Sequence, residues 1–268
     1  MTTEGTGQDP TTTDQYSPRR ISAIWAAATA PMVVLGWIVP PIIGDSWGME
    51  EALARAILLT FGLVWLTVFA LAIVRHEEGD LQWDTVKRRL RLNPPCDPET
   101  RQPRRKLWWW LAPLIVGFAA ISALGGPLGD LVTSGLLDFL SEPSKYSLDE
   151  LMNDDARLAP LEGAWWLLAI FVPLLVFNII GEELIFRGVL LPKMHGVFGR
   201  WAWVANGVLF AFYHLHQPWG IAVTIIDGAL LMAWPAQRFR STTMAMIVHG
   251  AQVPFILALI VLVILGAA

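Results

Sequence analysis

Two adjacent carboxylates, Glu182 and Glu183, end an otherwise apolar run, Phe177-Asn178-Ile179-Ile180-Gly181, and Arg187 follows four residues later. Each ionisable group in a membrane segment costs roughly 2.5–3.5 kcal/mol by insertion scales, so such groups are read first as a functional site. On a helix Glu183 and Arg187 lie one turn apart on the same face. Glu182 points about 100° away, so the guanidinium holds Glu183 and leaves Glu182 for a cavity. A carboxylate balanced between burial and a nearby cation is a candidate general base toward water. The structural alternative is an ion pair that locks two spans together.

Two histidines extend the set. His214 ends Phe210-Ala211-Phe212-Tyr213-His214, and His249 ends Met246-Ile247-Val248-His249, each in a separate apolar run. A lone membrane histidine is more often a packing residue, but two of them beside a carboxylate doublet form a chemical set. Glu182, His214 and His249 suit either a divalent, zinc-like ion or a metal-free activated water. No His-Glu-x-x-His pattern and no Gly-x-Ser-x-Gly elbow accompanies them. His76, His195 and His216 are set aside as loop or interfacial residues.

The elements that position this set are membrane spans. Only 16% of the residues are charged and 54% are hydrophobic, against about a quarter charged in soluble domains. The fourteen tryptophans suit the aromatic belts of a bilayer interface. Runs of the required length of about 20 residues fall at about 21–43, 52–74, 107–126, 164–191, 201–217, 219–237 and 242–266. The fold class is therefore all-α, a polytopic transmembrane bundle of about seven spans. Lys and Arg collect in alternate loops, notably 75–106, which the positive-inside rule makes cytoplasmic together with the N-terminus.

Four regions follow. Residues 1–20 form a polar tail expected to be disordered, ending in Arg19-Arg20, which anchor an uncleaved first span. Residues 21–126 carry three spans and the basic cytoplasmic loop 75–106. In that loop, 81–90 reads as a surface-lying amphipathic helix. Residues 127–161 are an acidic extracytoplasmic segment, with a second surface helix expected at 128–140. Residues 162–268 hold four spans and all the candidate site residues. Cys96 stands alone in a polar loop, which excludes an intrachain disulfide. No basic face interleaved with aromatics supports a nucleic-acid partner.

Glu-Glu-x-x-x-Arg at 182–187, Phe-x-x-x-His at 210–214 and the histidine at 249 resemble the CPBP family of intramembrane proteases. That family includes type II CAAX prenyl proteases, lysostaphin-resistance-type proteins and Abi immunity proteins. The resemblance covers about residues 162–256. It implies a membrane-embedded, metallo- or glutamate-type protease acting on a membrane-associated peptide or protein in the lipid bilayer. It further implies that Glu182 and His214 activate water, that Glu183 and Arg187 order the site, and that His249 stabilises the oxyanion. Preorganised donors of that kind are worth about 2.7–4 kcal/mol each. The tail and loops look bacterial, which puts the protein in the plasma membrane.

One position departs from the family pattern. An Asn or Asp is usual four residues after the last histidine, and here Val253 stands there, with Gln252 one residue earlier and Pro254 one later. The second oxyanion donor is thus in doubt unless a bend at Pro254 recruits Gln252. Asp227, near the middle of 219–237, reads as a further site group or a partner of Asn206. The linear topology also puts His214 toward the outer end of its span and Glu182 and His249 toward the cytoplasmic side. A joint site requires a span to tilt or shift. Two other classes compete: a non-catalytic membrane immunity or scaffold protein, and a small carrier using Glu182, Glu183 and Asp227 as a proton relay, which the absence of repeats disfavours.

Overall fold

A computed structural model describes residues 15–47, 51–125, 127, 129, 131, 135–147, 150 and 152–267. Six helices are long and apolar enough to cross a membrane: Pro18–Ile43, Glu51–Glu78, Arg105–Ala123, Leu167–Lys193, Pro218–Arg238 and Thr242–Ile264. No strand occurs among the described residues, only an isolated bridge between Cys96 and Pro103. The chain is thus an all-helical integral membrane protein.

The seventh expected span, 201–217, takes a different form. Its helix, Ala202–Tyr213, has 12 residues between 3-10 turns at Gly199–Trp201 and His214–His216. That is well short of the length needed to cross alone. Hydropathy does not reveal the early stop, because 202–215 is apolar apart from Asn206 and His214. Backbone at membrane depth that leaves the helix is tolerated where protein surrounds it, and His214 and His216 are both buried.

Three spans contain a wider, π-helical turn: Val34–Ile38, Leu184–Leu190 and Asp227–Ala233. Such turns break the regular ladder and often mark functional positions. Each one places a carbonyl where a side chain from another segment takes it. Arg55 Nε donates to Gly36 O at 3.1 Å, and Arg187 Nη2 donates to Gly228 O at 3.1 Å. Along Leu184–Leu190, Asn206 Nδ2 reaches Phe186 O at 2.8 Å and Arg89 Nη1 reaches Gly188 O at 3.1 Å. Buried polar side chains therefore satisfy backbone groups that lipid leaves unpaired.

Close approach of helices sets the rest. The Leu167–Glu183 helix packs most extensively on Glu51–Glu78. A Cβ at Gly181 would stand 2.5 Å from the Leu63 carbonyl oxygen, so only glycine fits immediately before the doublet. Gly207 plays the same part against Ala229, whose Cα would lie 2.5 Å from an added Cβ. Small residues at such crossings are the usual means of bringing membrane helices together. The main core runs from Tyr16 and Ile21 through Leu66, Phe186 and Tyr213 to Val248.

Loop 75–106 packs on the bundle rather than lying free on a surface. Its helix, Trp83–Arg89, turns Val86 and Arg89 inward and leaves Trp83 exposed. Arg89, expected on the outer cationic face, is buried because two backbone carbonyls and Glu77 take its donors. Cys96 is buried too, with its amide bonded to Phe239 O at 2.8 Å. The tail expected over 1–20 ends earlier than that. Residues 1–14 lie outside the described ones, Tyr16 N donates to Lys193 O at 3.0 Å, and Ser17 caps a helix that starts at Pro18. Of the surface helix expected at 128–140, Gly135–Leu140 forms a 3-10 helix, and part of the remainder lies outside the described residues.

Candidate active site

Glu182 and Glu183 end the regular helix of the fourth span, and the π turn beginning at Leu184 carries Arg187. All three side chains are almost completely buried. Arg187 Nη1 donates to Glu183 Oε1 at 3.0 Å, as the four-residue spacing requires. The guanidinium also lies 4.0 Å above the Phe210 ring, a cation–π contact in a desolvated place.

The last span adds His249, whose Nδ1 meets Glu183 Oε1 at 3.0 Å. Glu183 is thus held by two partners from two helices. His214 enters on the 3-10 turn after the short helix, with Nδ1 at 2.9 Å from Phe210 O. A carbonyl and a carboxylate both accept, so the consistent assignment puts a proton on Nδ1 of each neutral ring. Both Nε2 atoms then face Glu182 as acceptors: His214 Nε2 is 3.8 Å from Oε1, and His249 Nε2 is 4.0 Å from Oε2. The tilt that the linear topology demanded is supplied by the early end of the Ala202–Tyr213 helix, which swings His214 level with the doublet.

Glu182 Oε1 accepts from Asn178 Nδ2 at 2.9 Å. The Tyr213 hydroxyl is buried beside Glu182 and is placed to donate toward its carboxylate. A carboxylate flanked by two imidazole nitrogens just beyond direct hydrogen-bond reach suits a small molecule that donates hydrogens between them, as water does. The donor chemistry also suits a cation, yet among the described residues no three His, Cys, Asp or Glu side chains are arranged to hold a metal ion.

Residues outside the expected set take part. Gln252 Nε2 donates to Asn178 Oδ1 at 3.4 Å, joining the end of the last histidine helix to Glu182 through Asn178. The helix stops at Gly250, a turn follows, and a new helix starts at Val253 with Pro254 in its first turn. The break falls before Pro254, and the Gln252 amide is bonded to Asn178 Oδ1. His216 is buried beneath His214, the two rings 5.4 Å apart and stacked. Its interfacial reading fails because Arg55 Nη2 binds its carbonyl at 2.6 Å and draws the turn into the bundle. Asp227 starts the π turn that supplies Gly228 O to Arg187, and Asp227 Oδ1 has no hydrogen-bond partner. It does not pair with Asn206, whose amide is committed to Phe186 O. Gln252 and Asp227 stand out in the sequence, whereas the signal for Asn178 is its place four residues before Glu182.

The fold and the buried carboxylate–imidazole cluster define a class: a multi-helix membrane protein with a polar site assembled inside the bundle. Residues 164–253, about a third of the chain, match the family model described as Type II CAAX prenyl endopeptidase Rce1-like. The match takes in every candidate site residue and agrees with the resemblance carried by the three motifs. No curated protein and no solved structure matched the chain.

Proposed function

We propose that the chain is an intramembrane endopeptidase that hydrolyses a peptide bond with a water activated by Glu182 and His214. The observation that carries this reading is the convergence of His214 Nε2 and His249 Nε2 on Glu182, at 3.8 and 4.0 Å, from three separate segments. The Rce1-like match supports the same class of reaction.

In this reading Glu182 Oε2 accepts a proton from water as the water oxygen bonds to the substrate carbonyl carbon. His214 Nε2, fixed by the bond of its Nδ1 to Phe210 O, accepts the second hydrogen of that water and orients it. The carbonyl oxygen becomes an oxyanion. His249, when protonated, turns its Nε2 into a donor toward that oxygen, and Glu183 holds the resulting charge. Collapse breaks the C–N bond, and the proton on Glu182 passes to the leaving nitrogen. Arg187 pairs with Glu183 and ties it to the neighbouring span through Gly228 O.

The proposed substrate is a membrane-associated peptide or protein, with a prenylated C-terminus as the class the family description suggests. The proposed setting is a bacterial plasma membrane with the N-terminus in the cytoplasm, residues 162–268 as the catalytic core and 127–161 outside. Val253 favours a second reading, a non-catalytic immunity or scaffold protein on the same fold.

The test is cleavage of membrane-peptide substrates by purified protein in lipid, beside Glu182→Gln and His214→Ala, with and without a chelator. Loss of turnover in both variants, with folding intact, supports the protease. Turnover that survives chelation sustains the metal-free form, and loss restored by zinc assigns a metal to Glu182, His214 and His249. Full turnover in Glu182→Gln sinks the proposal.

A further inference from the structure

Away from the carboxylates, a cavity of about 400 Å³ is lined by Arg200, Trp201, Trp203, Trp234, Gln237 and Arg238. It opens where the short helix begins and the Pro218–Arg238 span ends, so it lies at one rim of the bundle. Its walls are tied together, since Gln237 Nε2 donates to Arg200 O at 3.1 Å. Two cations and no carboxylate line it. Among the described residues, neither Arg200 nor Arg238 forms an ion pair, and both are exposed.

Tryptophans gather at this rim. Trp201 and Trp203 lie 6.3 Å apart, and Trp110 packs edge-on against Trp234 at 5.7 Å. Together these four form a belt, which is where headgroups meet the hydrocarbon. Trp201 remains 55% exposed, with the Arg200 guanidinium 5.1 Å above its ring. The planar fork of an arginine is the geometry best suited to phosphate oxygens. Basic pockets between spans at this level are lipid headgroup sites in general.

We propose that this cavity binds the headgroup of one anionic phospholipid, its phosphate between Arg200 and Arg238 and its glycerol and upper acyl chain against Trp201, Trp203 and Trp234. The occupant is a lipid rather than a free phosphate because three of the six lining residues are tryptophans, which offer apolar surface beside the two cations. The proposal stands independently of the proteolytic reading.

The test is native mass spectrometry of the full chain in detergent, titrated with phosphatidylglycerol or with phosphatidylcholine of the same acyl chains. Wild type should bind one phosphatidylglycerol at least tenfold more tightly than phosphatidylcholine. Arg200→Gln with Arg238→Gln should lose roughly tenfold or more of that affinity, since both cations that attract the anionic headgroup are then gone. The paired lysine variant should retain most of it. Unfolding midpoints separate binding from damage, and both positions are exposed. Equal binding of the two lipids by wild type overturns the proposal, as does unchanged phosphatidylglycerol binding by the double glutamine variant. Acyl-free glycerol phosphate binding as tightly as the lipid would reassign the site to small anions.

Discussion

His249 and Glu183, 66 residues apart in the chain, meet at 3.0 Å between Nδ1 and Oε1, and Arg187 Nη1 meets the same oxygen at 3.0 Å. One carboxylate of the doublet is thereby spent on structure. Its neighbour Glu182 accepts instead from the neutral Asn178 amide, with the two imidazole Nε2 atoms standing off at 3.8 and 4.0 Å. The two adjacent glutamates are chemically alike and energetically opposite.

That asymmetry predicts opposite mutant behaviour. Glu183→Ala strands a buried guanidinium, and breaking a buried pair costs about 3–5 kcal/mol. The variant should unfold at a markedly lower temperature in detergent and lose turnover as a consequence. Glu182→Gln keeps the bond to Asn178 by way of its amide oxygen and should leave the unfolding midpoint near wild type. Its cleavage rate should fall by roughly 10²–10⁴, the usual worth of a general base. A Glu182→Gln protein that melts early but cleaves normally would reverse these assignments.

A smaller effect is expected one step back from the carboxylate. Gln252 orients Asn178, and Asn178 orients Glu182. An amide–amide bond of this kind contributes about 0.5–1.5 kcal/mol, so Gln252→Ala should slow turnover roughly two- to tenfold while stability barely moves. Asn178→Ala, which bares Glu182 directly, should cost more. Kinetics of the two variants and their double mutant would show non-additive losses if the relay is real, because groups acting as one unit do not add. Additive losses would separate them.

Much of this arrangement was legible from residue types. The doublet, Arg187, His214 and His249 stood out because ionisable groups are costly among apolar neighbours, and the spans followed from length. Other features were hidden for physical reasons. The 202–215 run is apolar almost throughout, so its early stop at Tyr213 depends on Arg55 drawing the His216 carbonyl inward from another span. Arg89 looked like one more cation on a surface helix, and only the fold reveals the carbonyls it meets. Likewise, π turns change hydrogen-bond register without changing composition. What a helix face displays can be read locally, whereas the partner across a crossing cannot.

Gly181 offers a test of that crossing. An added Cβ would stand 2.5 Å from Leu63 O and 3.1 Å from Leu66 Cβ, both on the helix packed against the doublet. Backbone cannot yield as a flexible side chain does, so Gly181→Ala must push the fourth span outward. Such overpacking typically costs about 1–3 kcal/mol. Glu182 would move with the backbone, and a displacement near 1 Å is worth about 10²-fold in rate. We expect a moderately lowered unfolding midpoint with a disproportionate loss of turnover. Gly125→Ala, where no atom lies within 4 Å of an added Cβ, should change neither and serves as the control.

Arg89 should matter for cleavage although it touches none of the reacting groups. Its Nε bonds Glu77 Oε2 at 2.8 Å, its Nη2 bonds the Tyr16 hydroxyl at 2.9 Å, and its Nη1 takes Gly188 O at 3.1 Å. Gly188 follows Arg187 on the π turn, so Arg89 ties the loop helix, the end of the second span and the start of the first to the segment that presents Arg187. Burial and the adjacent Glu77 carboxylate hold the Tyr16 phenol above its ordinary pKa, which keeps it protonated and able to donate to Glu77 Oε1 at 2.5 Å. Arg89→Ala leaves that carboxylate half-paired and the Gly188 carbonyl unpaired at membrane depth, each costing about 1–3 kcal/mol. Arg89→Lys supplies the charge without the fork, so it should recover the ion pair to Glu77 but not the simultaneous reach to Gly188. The expected order is therefore wild type, then Lys, then Ala in unfolding temperature, with the lysine variant closer to wild type in stability than in turnover. Hydrogen exchange should show 184–190 opening faster in both variants. Unchanged protection of that segment in Arg89→Ala would mean that the π turn stands without its brace.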